Sequence, residues 1–140
     1  MTVWFITGTS RGLGREFAIT ALERGDLVAA TARNLGDLDD LAEKYGPAVL
    51  PLRLDVTDRA AAFAAVEHAH DHFGRLDVVV NNAGCGQYGF VEELSETELR
   101  AQMDINFFGA VWITQAALPY LRAQRGGHLI QVSSIGGVTA

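Results

Sequence analysis

Three glycines stand where an apolar run should turn into a helix. Thr7-Gly8-Thr9-Ser10-Arg11-Gly12-Leu13-Gly14 spaces them as G-x-x-x-G-x-G. A pyrophosphate seated on a helix N-terminus needs free N–H groups, a turn tolerant of unusual φ and no Cβ in its way. Gly8 suits the turn, Gly12 the close approach of a ligand and Gly14 the packing of helix on strand. A second segment, Gly84-Cys85-Gly86-Gln87-Tyr88-Gly89, matches the pattern G-x-G-x-x-G more closely as text. It opens no helix, because the next helix start is at Ser95. It therefore lacks the context of a phosphate loop and reads as a flexible loop above the sheet. The histidines promise less. His68, His70 and His72 are spaced i, i+2, i+4 and do not share one helix face. With one cysteine there is no structural zinc site, and no metal is expected.

These residues need elements to hold them. Short runs rich in Val, Ile and Leu fall at residues 3–7, 27–32, 49–54, 77–80 and 128–132. Each is continuous enough to be a strand covered on both faces. Helical spacing fills the intervals. Residues 12–24 carry Leu13, Phe17 and Ala21, and Gly25 is placed to end that helix. Residues 35–45 repeat Leu35, Leu38 and Leu41. Residues 58–73 set Phe63, Val66, His70 and Phe73 along one side. The last helix opens on Ser95-Glu96-Thr97-Glu98, a capping-box pattern, and runs to about residue 123. Strands alternating with helices predict an α/β fold with a parallel, doubly wound sheet. Residues 136–140 read as a loop leaving the fifth strand, which becomes a sheet edge.

Length and composition narrow the classes. The 140 residues suit one domain, and 49% hydrophobic content supplies a core. A formal charge of −6 without Lys/Arg clusters argues against nucleic acid or an anionic membrane as partner. The first residues, Met1 to Thr7, show no basic stretch or cleavage site, so no leader is expected, and no apolar run nears the ~18 residues of a membrane span. A single cysteine fits a reducing compartment, so the expectation is a soluble cytoplasmic protein.

Thr7-Gly8-x-x-x-Gly12-x-Gly14, followed by Asn81-Asn82-Ala83-Gly84, resembles the short-chain dehydrogenase/reductase family. The two motifs fall on strands one and four. Asp55-Val56 closing strand three, Asn106 in the long helix and Val132-Ser133-Ser134 ending strand five agree with it. The resemblance covers the whole chain. It implies a Rossmann-type sheet of which the chain supplies strands one to five, truncated after the fifth. Residues 1–140 would then be a dinucleotide-binding domain, incomplete at its C-terminus. Gly8, Ser10, Arg11, Gly12, Leu13 and Gly14 would form the pyrophosphate turn. Asp55 resembles the residue that hydrogen-bonds the adenine amino group, with Val56 packed nearby. Its carboxylate reads equally well as a helix cap before Thr57-Asp58. Asn82, Ala83 and Gly84 resemble the segment that lines the cofactor and steadies the sheet, although paired Asn can also satisfy a turn. Asn106 resembles the asparagine of the catalytic tetrad, which interrupts a helix and holds a water in the proton relay. Ser134 resembles the serine that hydrogen-bonds the substrate carbonyl or hydroxyl. It is preferred to Ser133 because Ser134-Ile135-Gly136-Gly137 has the family's Ser-x-x-Gly spacing.

The cofactor is read at the tip of strand two. An acid there would bond the ribose 2′-hydroxyl of NAD, but the sequence is Ala30-Thr31-Ala32-Arg33-Asn34. Arg33 and Arg11 can instead converge on a 2′-phosphate with charge-assisted hydrogen bonds. NADP is expected, with NAD less favoured. The resemblance implies hydride transfer between nicotinamide and a small-molecule carbonyl or alcohol, with a Tyr-x-x-x-Lys motif handling the proton. None of Tyr45, Tyr88 and Tyr120 is followed by Lys at the fourth position, and Lys44 is the only lysine. The expectation is an NADP(H)-dependent oxidoreductase whose 140-residue chain is catalytically incomplete. The alternative is a non-catalytic dinucleotide-binding or protein-interaction module, which would need neither Ser134 nor Asn106. The aromatics of residues 86–90 hint at an apolar substrate. The long helix is one that family members often use for pairing, which suggests a homo-oligomer in a full-length form.

Overall fold

A computed structural model describes residues 1–137. Five parallel strands, β1 Val3–Ile6, β2 Leu27–Ala32, β3 Val49–Arg53, β4 Val78–Asn81 and β5 His128–Gln131, stand in the order β3-β2-β1-β4-β5. The helices are α1 Gly12–Glu23, α2 Asp39–Tyr45, α3 Arg59–Phe73, α4 Glu96–Met103 and α5 Ala110–Ala123. The chain steps outward from β1 to β2 and β3, then crosses back to β4 and β5. The reversal therefore lies between β1 and β4, where an open sheet of this kind forms its ligand crevice beyond the C-terminal strand ends.

Two helical stretches differ from the sequence expectation. A single helix over residues 35–45 is instead a 3-10 turn, Leu35–Leu38, followed by α2. The Asn34 side chain caps that turn by accepting from the Gly36 N–H at 3.3 Å, which favours the tighter winding. The long helix over residues 95–123 is α4, a π-helical segment Asp104–Gly109, and α5. The Ser95–Glu98 capping box that opens it is present.

Alternate strand residues feed two apolar layers. Val3, Phe5, Ala29, Leu52 and Val79 pack against α3 and α5 through Ala62, Ala65, Val66, Ala69, Ile113 and Ala117. Ile6, Val28, Ala30, Val78 and Val80 pack against α1 and the α2 region through Ala18, Ala21, Leu22, Leu38 and Leu41. The stripes read from spacing hold at Ala21, Leu38, Leu41 and Val66, which are buried, but not at the start of α1, where small residues meet the sheet. Leu13 and Phe17 are 61% and 36% exposed, while Gly14 and Ala18 are buried. Small side chains let a helix backbone sit close on the sheet at interior packing density. The expectation that every strand is covered on both faces fails at β5. Leu129 packs into the α3–α5 layer, but Ile130 and Val132 are 42% and 37% exposed. Among the described residues no helix lies over that face. At the other edge, β3 tolerates Pro51, which cannot donate to a strand ladder. No helix among the described residues is long and apolar enough to cross a membrane. Residues 138–140 of the loop read at 136–140 lie outside the described residues.

β1 is pinned at its start by two carboxylates. Asp26 accepts from the Thr2 N–H at 2.8 Å and the Trp4 indole N–H at 3.1 Å, and Asp77 accepts from the Val3 N–H at 2.8 Å. Burial pushes the Asp26 carboxyl up. The hydrogen bonds from Thr2 and Trp4, with the charge of Arg24, outweigh it and hold the group below its ordinary 3.8. A depressed carboxyl stabilises the fold above the unfolded value and loses that contribution as pH falls through the folded one. Asp26→Ala should cost about 1–3 kcal/mol at neutral pH by leaving two donors unpaired. Urea titrations at pH 7 and pH 3 test this, and the gap between the variant and the parent chain should narrow at the lower pH.

Candidate functional site

The C-terminal ends of the strands border a cleft of about 850 Å³. Every residue singled out from the sequence lines it except Gly14: Gly8, Ser10, Arg11, Gly12, Leu13, Arg33, Asp55, Val56, Asn82, Ala83, Gly84, Asn106 and Ser134. Ser133 lines it as well.

The cleft floor is a junction between β1 and β4. The buried Thr7 hydroxyl accepts from the N–H groups of Asn82 and Ala83, both at 2.9 Å, and donates to the Val80 carbonyl at 3.3 Å. The Asn82 carboxamide returns two bonds, to the Thr7 carbonyl at 2.9 Å and the Gly8 carbonyl at 3.1 Å. Gly14 closes the unit. A Cβ there would lie 2.3 Å from both the Asn82 Nδ2 and the Gly8 oxygen, so only glycine lets α1 start this close. Thr7 was not among the expected site residues. Its signal was its place at the end of β1, one step before the glycine turn. Beside it, Asn81 is buried with its amide on the Thr114 hydroxyl at 3.1 Å, while its Oδ1 has no partner among the described residues.

Above the floor, α1 begins at Gly12, whose φ is +62°. No side chain caps α1 and no acid lies in its first turn. By contrast, Asp58 caps α3 through the Ala61 N–H at 2.9 Å, and Ser95 caps α4. The open end of α1 thus presents unshielded N–H groups and the positive end of its dipole to the cleft. Arg11 and Arg33 are both exposed, and neither forms an ion pair or side-chain hydrogen bond among the described residues. Asp55 is no helix cap. It accepts from the Thr57 N–H at 3.0 Å and the Thr57 hydroxyl at 2.8 Å, which holds the turn, and the cap is Asp58 three residues on.

The opposite wall is built on the π-helical segment. Asn106 lies within it, and its carboxamide takes both ends of one residue: Oδ1 accepts from the Cys85 N–H at 2.8 Å and Nδ2 donates to the Cys85 carbonyl at 2.7 Å. That bracket fixes the Gly84–Gly86 backbone at the cleft edge, so this loop is held rather than free at its base. The loop opens no helix: a 3-10 turn Val91–Glu93 follows, and Tyr88 and Phe90 are exposed. The segment is seated by Gly109, where a Cβ would lie 2.7 Å from the Val56 Cγ2. Across the cleft the Ser134 hydroxyl accepts from the Gly136 N–H at 3.1 Å, which holds the turn after β5. Among the described residues no three His, Cys, Asp or Glu side chains are grouped to hold a metal ion.

Thr7→Val keeps the side-chain shape and removes the hydroxyl that two half-buried N–H groups share. It should destabilise the chain by about 1–3 kcal/mol for each donor left unsatisfied. Chemical denaturation measures it, and a change under about 0.5 kcal/mol, the size of an ordinary surface substitution, would show that the junction matters little.

Comparison with known proteins agrees with this architecture. A family model described as short chain dehydrogenase matches residues 2–140. An oxidoreductase of Botryotinia fuckeliana is 48% identical over 136 residues, covering 96% of this chain and 50% of that protein. The crystal structure of a short-chain dehydrogenase from Streptomyces avermitilis superposes with a TM-score of 0.95 at 40% identity, covering 98% of this chain and 51% of that one. An alcohol dehydrogenase from the archaeon Thermococcus sibiricus, complexed with 5-hydroxy-NADP, superposes with a TM-score of 0.93 at 31% identity, covering 100% of this chain and 61% of that one. The chain spans about half the length of the curated relatives it matches. With a family model matched along nearly its whole length and the five-stranded parallel sheet in place, the chain belongs to the short-chain dehydrogenase family.

Proposed function

We propose that residues 1–140 are the dinucleotide-binding domain of an NADP(H)-dependent oxidoreductase that interconverts a small-molecule carbonyl and alcohol. The observation that carries this reading is the N-terminus of α1: uncapped, without acids, and opening into the cleft beside Gly8 and Gly12. A pyrophosphate is the ligand chemistry such an end suits. Gly8, Ser10, Arg11, Gly12, Leu13 and Gly14 are assigned to it. Asp55 and Val56 are assigned to the adenine end, and Asn82, Ala83 and Gly84 to the middle of the cofactor. NADP(H), when bound, supplies or takes the hydride. This chain's own part is orientation. Ser134 would hydrogen-bond the substrate oxygen. Asn106 would brace the Cys85 backbone so that the cleft keeps its width.

The preference for NADP(H) is supported by Arg11 and Arg33, two cations that line the cleft and have no ion-pair partner among the described residues, with no acid at the β2 tip. The related Thermococcus sibiricus structure complexed with 5-hydroxy-NADP points the same way. The exposed Tyr88 and Phe90 support an apolar substrate, and α4–α5 would serve pairing in a full-length form. A single exposed thiol, Cys85, suits the cytoplasm.

Arg33→Asp should lower NADPH affinity by about one to two orders of magnitude, the size of one lost charge-assisted hydrogen bond, and leave NADH affinity equal or improved. Isothermal titration of both cofactors decides it; equal affinity of the unmodified chain for NADPH and NADH overturns the assignment. Within these 140 residues there is no Tyr-x-x-x-Lys to deliver a proton, a contribution of about 10²–10⁴-fold. The chain alone should therefore oxidise no NADPH with a panel of aldehydes and ketones, as followed by absorbance.

A further inference from the structure

We propose that Arg15 is a positioning residue for the ribose-phosphate end of the cleft: it ties the glycine turn that carries Arg11 to the loop that carries Arg33. In this way it sets the preference for a 2′-phosphorylated adenosine without touching the ligand. The inference rests on the NADP(H) reading above.

Arg15 does not line the cleft. Its guanidinium instead reaches three acceptors, one in the glycine turn, one in the 3-10 turn Leu35–Leu38 and one at the start of α2. Nη1 donates to the Ser10 carbonyl at 3.4 Å and the Asp37 carbonyl at 3.1 Å, and Nη2 bonds the Asp40 carboxylate. Ser10 immediately precedes Arg11. Asp37 closes the turn that begins at Asn34, next to Arg33: its N–H donates to the Asn34 carbonyl at 3.2 Å, and its carboxylate accepts from the Asn34 amide at 3.1 Å. A further tie joins the glycine turn to the end of β2. Thr9 donates to the Thr31 carbonyl through its N–H at 2.9 Å and its hydroxyl at 3.1 Å, at the buried sheet end. Thr9 fixes the base of the two loops and Arg15 fixes their rim.

The charges make that rim bond matter. Arg11 and Arg33 both line the cleft and carry like charge, so bringing them toward a common ligand costs repulsion. Arg15 adds nothing to that repulsion because Asp40 neutralises it. The hydrogen bond from Arg15 holds the Asp40 carboxyl below the ordinary carboxylate range, so the pair stays ionised at neutral pH. Arg15 is thus a brace with a fixed fork of donors, a geometry that an ammonium cannot reproduce. Without the brace the loops can separate, and a 2′-phosphate must draw them together at a cost to its affinity. A ribose with a free 2′-hydroxyl makes no use of the two cations and is indifferent to their spacing. The pair is partly open to solvent, with side-chain exposures of 20% for Arg15 and 69% for Asp40, so discrimination between ligands rather than stability separates the positioning role from a structural one.

The test uses the full chain and two simple ligands, adenosine 2′,5′-bisphosphate and adenosine 5′-monophosphate, titrated calorimetrically. The unmodified chain should prefer the bisphosphate. Arg15→Gln should weaken the bisphosphate about tenfold and the monophosphate less than about twofold, and Arg15→Lys should behave like Arg15→Gln. Asp40→Asn, at an exposed position with little risk to folding, should weaken the bisphosphate about threefold, in the same direction. Equal losses for both ligands would mark Arg15 as merely structural and overturn the proposal. So would a full recovery by Arg15→Lys, which would make charge alone the cause, or an unchanged ratio in all three variants. An unmodified chain without preference for the bisphosphate would overturn the NADP(H) reading itself, a result distinguishable from these because it precedes any substitution.

Discussion

The cleft depends on the hydrogen bonds that Thr7 exchanges between β1 and β4. The hydroxyl of Thr7 takes both N–H groups of the turn after β4, and the carboxamide of Asn82 returns two bonds to the turn after β1. These four bonds join residues some 75 positions apart at the one place where the sheet reverses direction. They also decide where α1 can begin. Gly14 has no room for a Cβ against that junction, so the helix N-terminus is held over the strand ends. If the strands separated there, neither the glycine turn nor the Asn82–Gly84 segment would face a common space.

Around this floor the walls are positioned by backbone-directed side chains. Asn106 holds Cys85 by both its N–H and its carbonyl, Asp55 holds Thr57, and Ser134 holds Gly136. Each of these polar residues reads as a candidate for ligand chemistry, and each also spends a hydrogen bond on local backbone. A polar side chain that is itself held is a better binding group than a free one, because its orientation is settled before the ligand arrives. The π-helical segment follows the same logic. Such segments are rare and recur at functional sites, and this one carries Asn106 to the cleft edge while Gly109 seats it on Val56.

Much of this was legible in the amino-acid sequence. Continuous apolar runs marked the five strands, and the helix that opens at Gly12 distinguished the first glycine turn from the closer textual match at Gly84–Gly89. The helix faces were legible in part: Ala21, Leu38, Leu41 and Val66 are buried as read, but the start of α1 is not. In α1 the apolar stripe through Leu13 and Phe17 competed with one through Gly14 and Ala18, and close packing on the sheet chose the smaller residues. The Thr7–Asn82 lock could not be read because it is non-local. The helix cap moved from Asp55 to Asp58, since two aspartates in one short turn can exchange roles. Asn106 gave one usable signal: an asparagine is a poor residue for the middle of a helix, and the helix is indeed interrupted there. The bond partners of Arg15 had no signal at all, because a long flexible cation reaches acceptors that only the fold brings near.

The central claim is that a dinucleotide pyrophosphate sits on the N-terminus of α1 and not in the Gly84–Gly89 loop. Amide chemical shifts of the isotopically labelled chain, recorded as NADP is titrated in, test it residue by residue. The account predicts the largest changes at the N–H groups of Gly12, Leu13 and Gly14, a smaller change at Arg33, and little at Gln87, Tyr88 and Gly89. Changes concentrated at Gln87–Gly89, with Gly12–Gly14 unmoved, would contradict it.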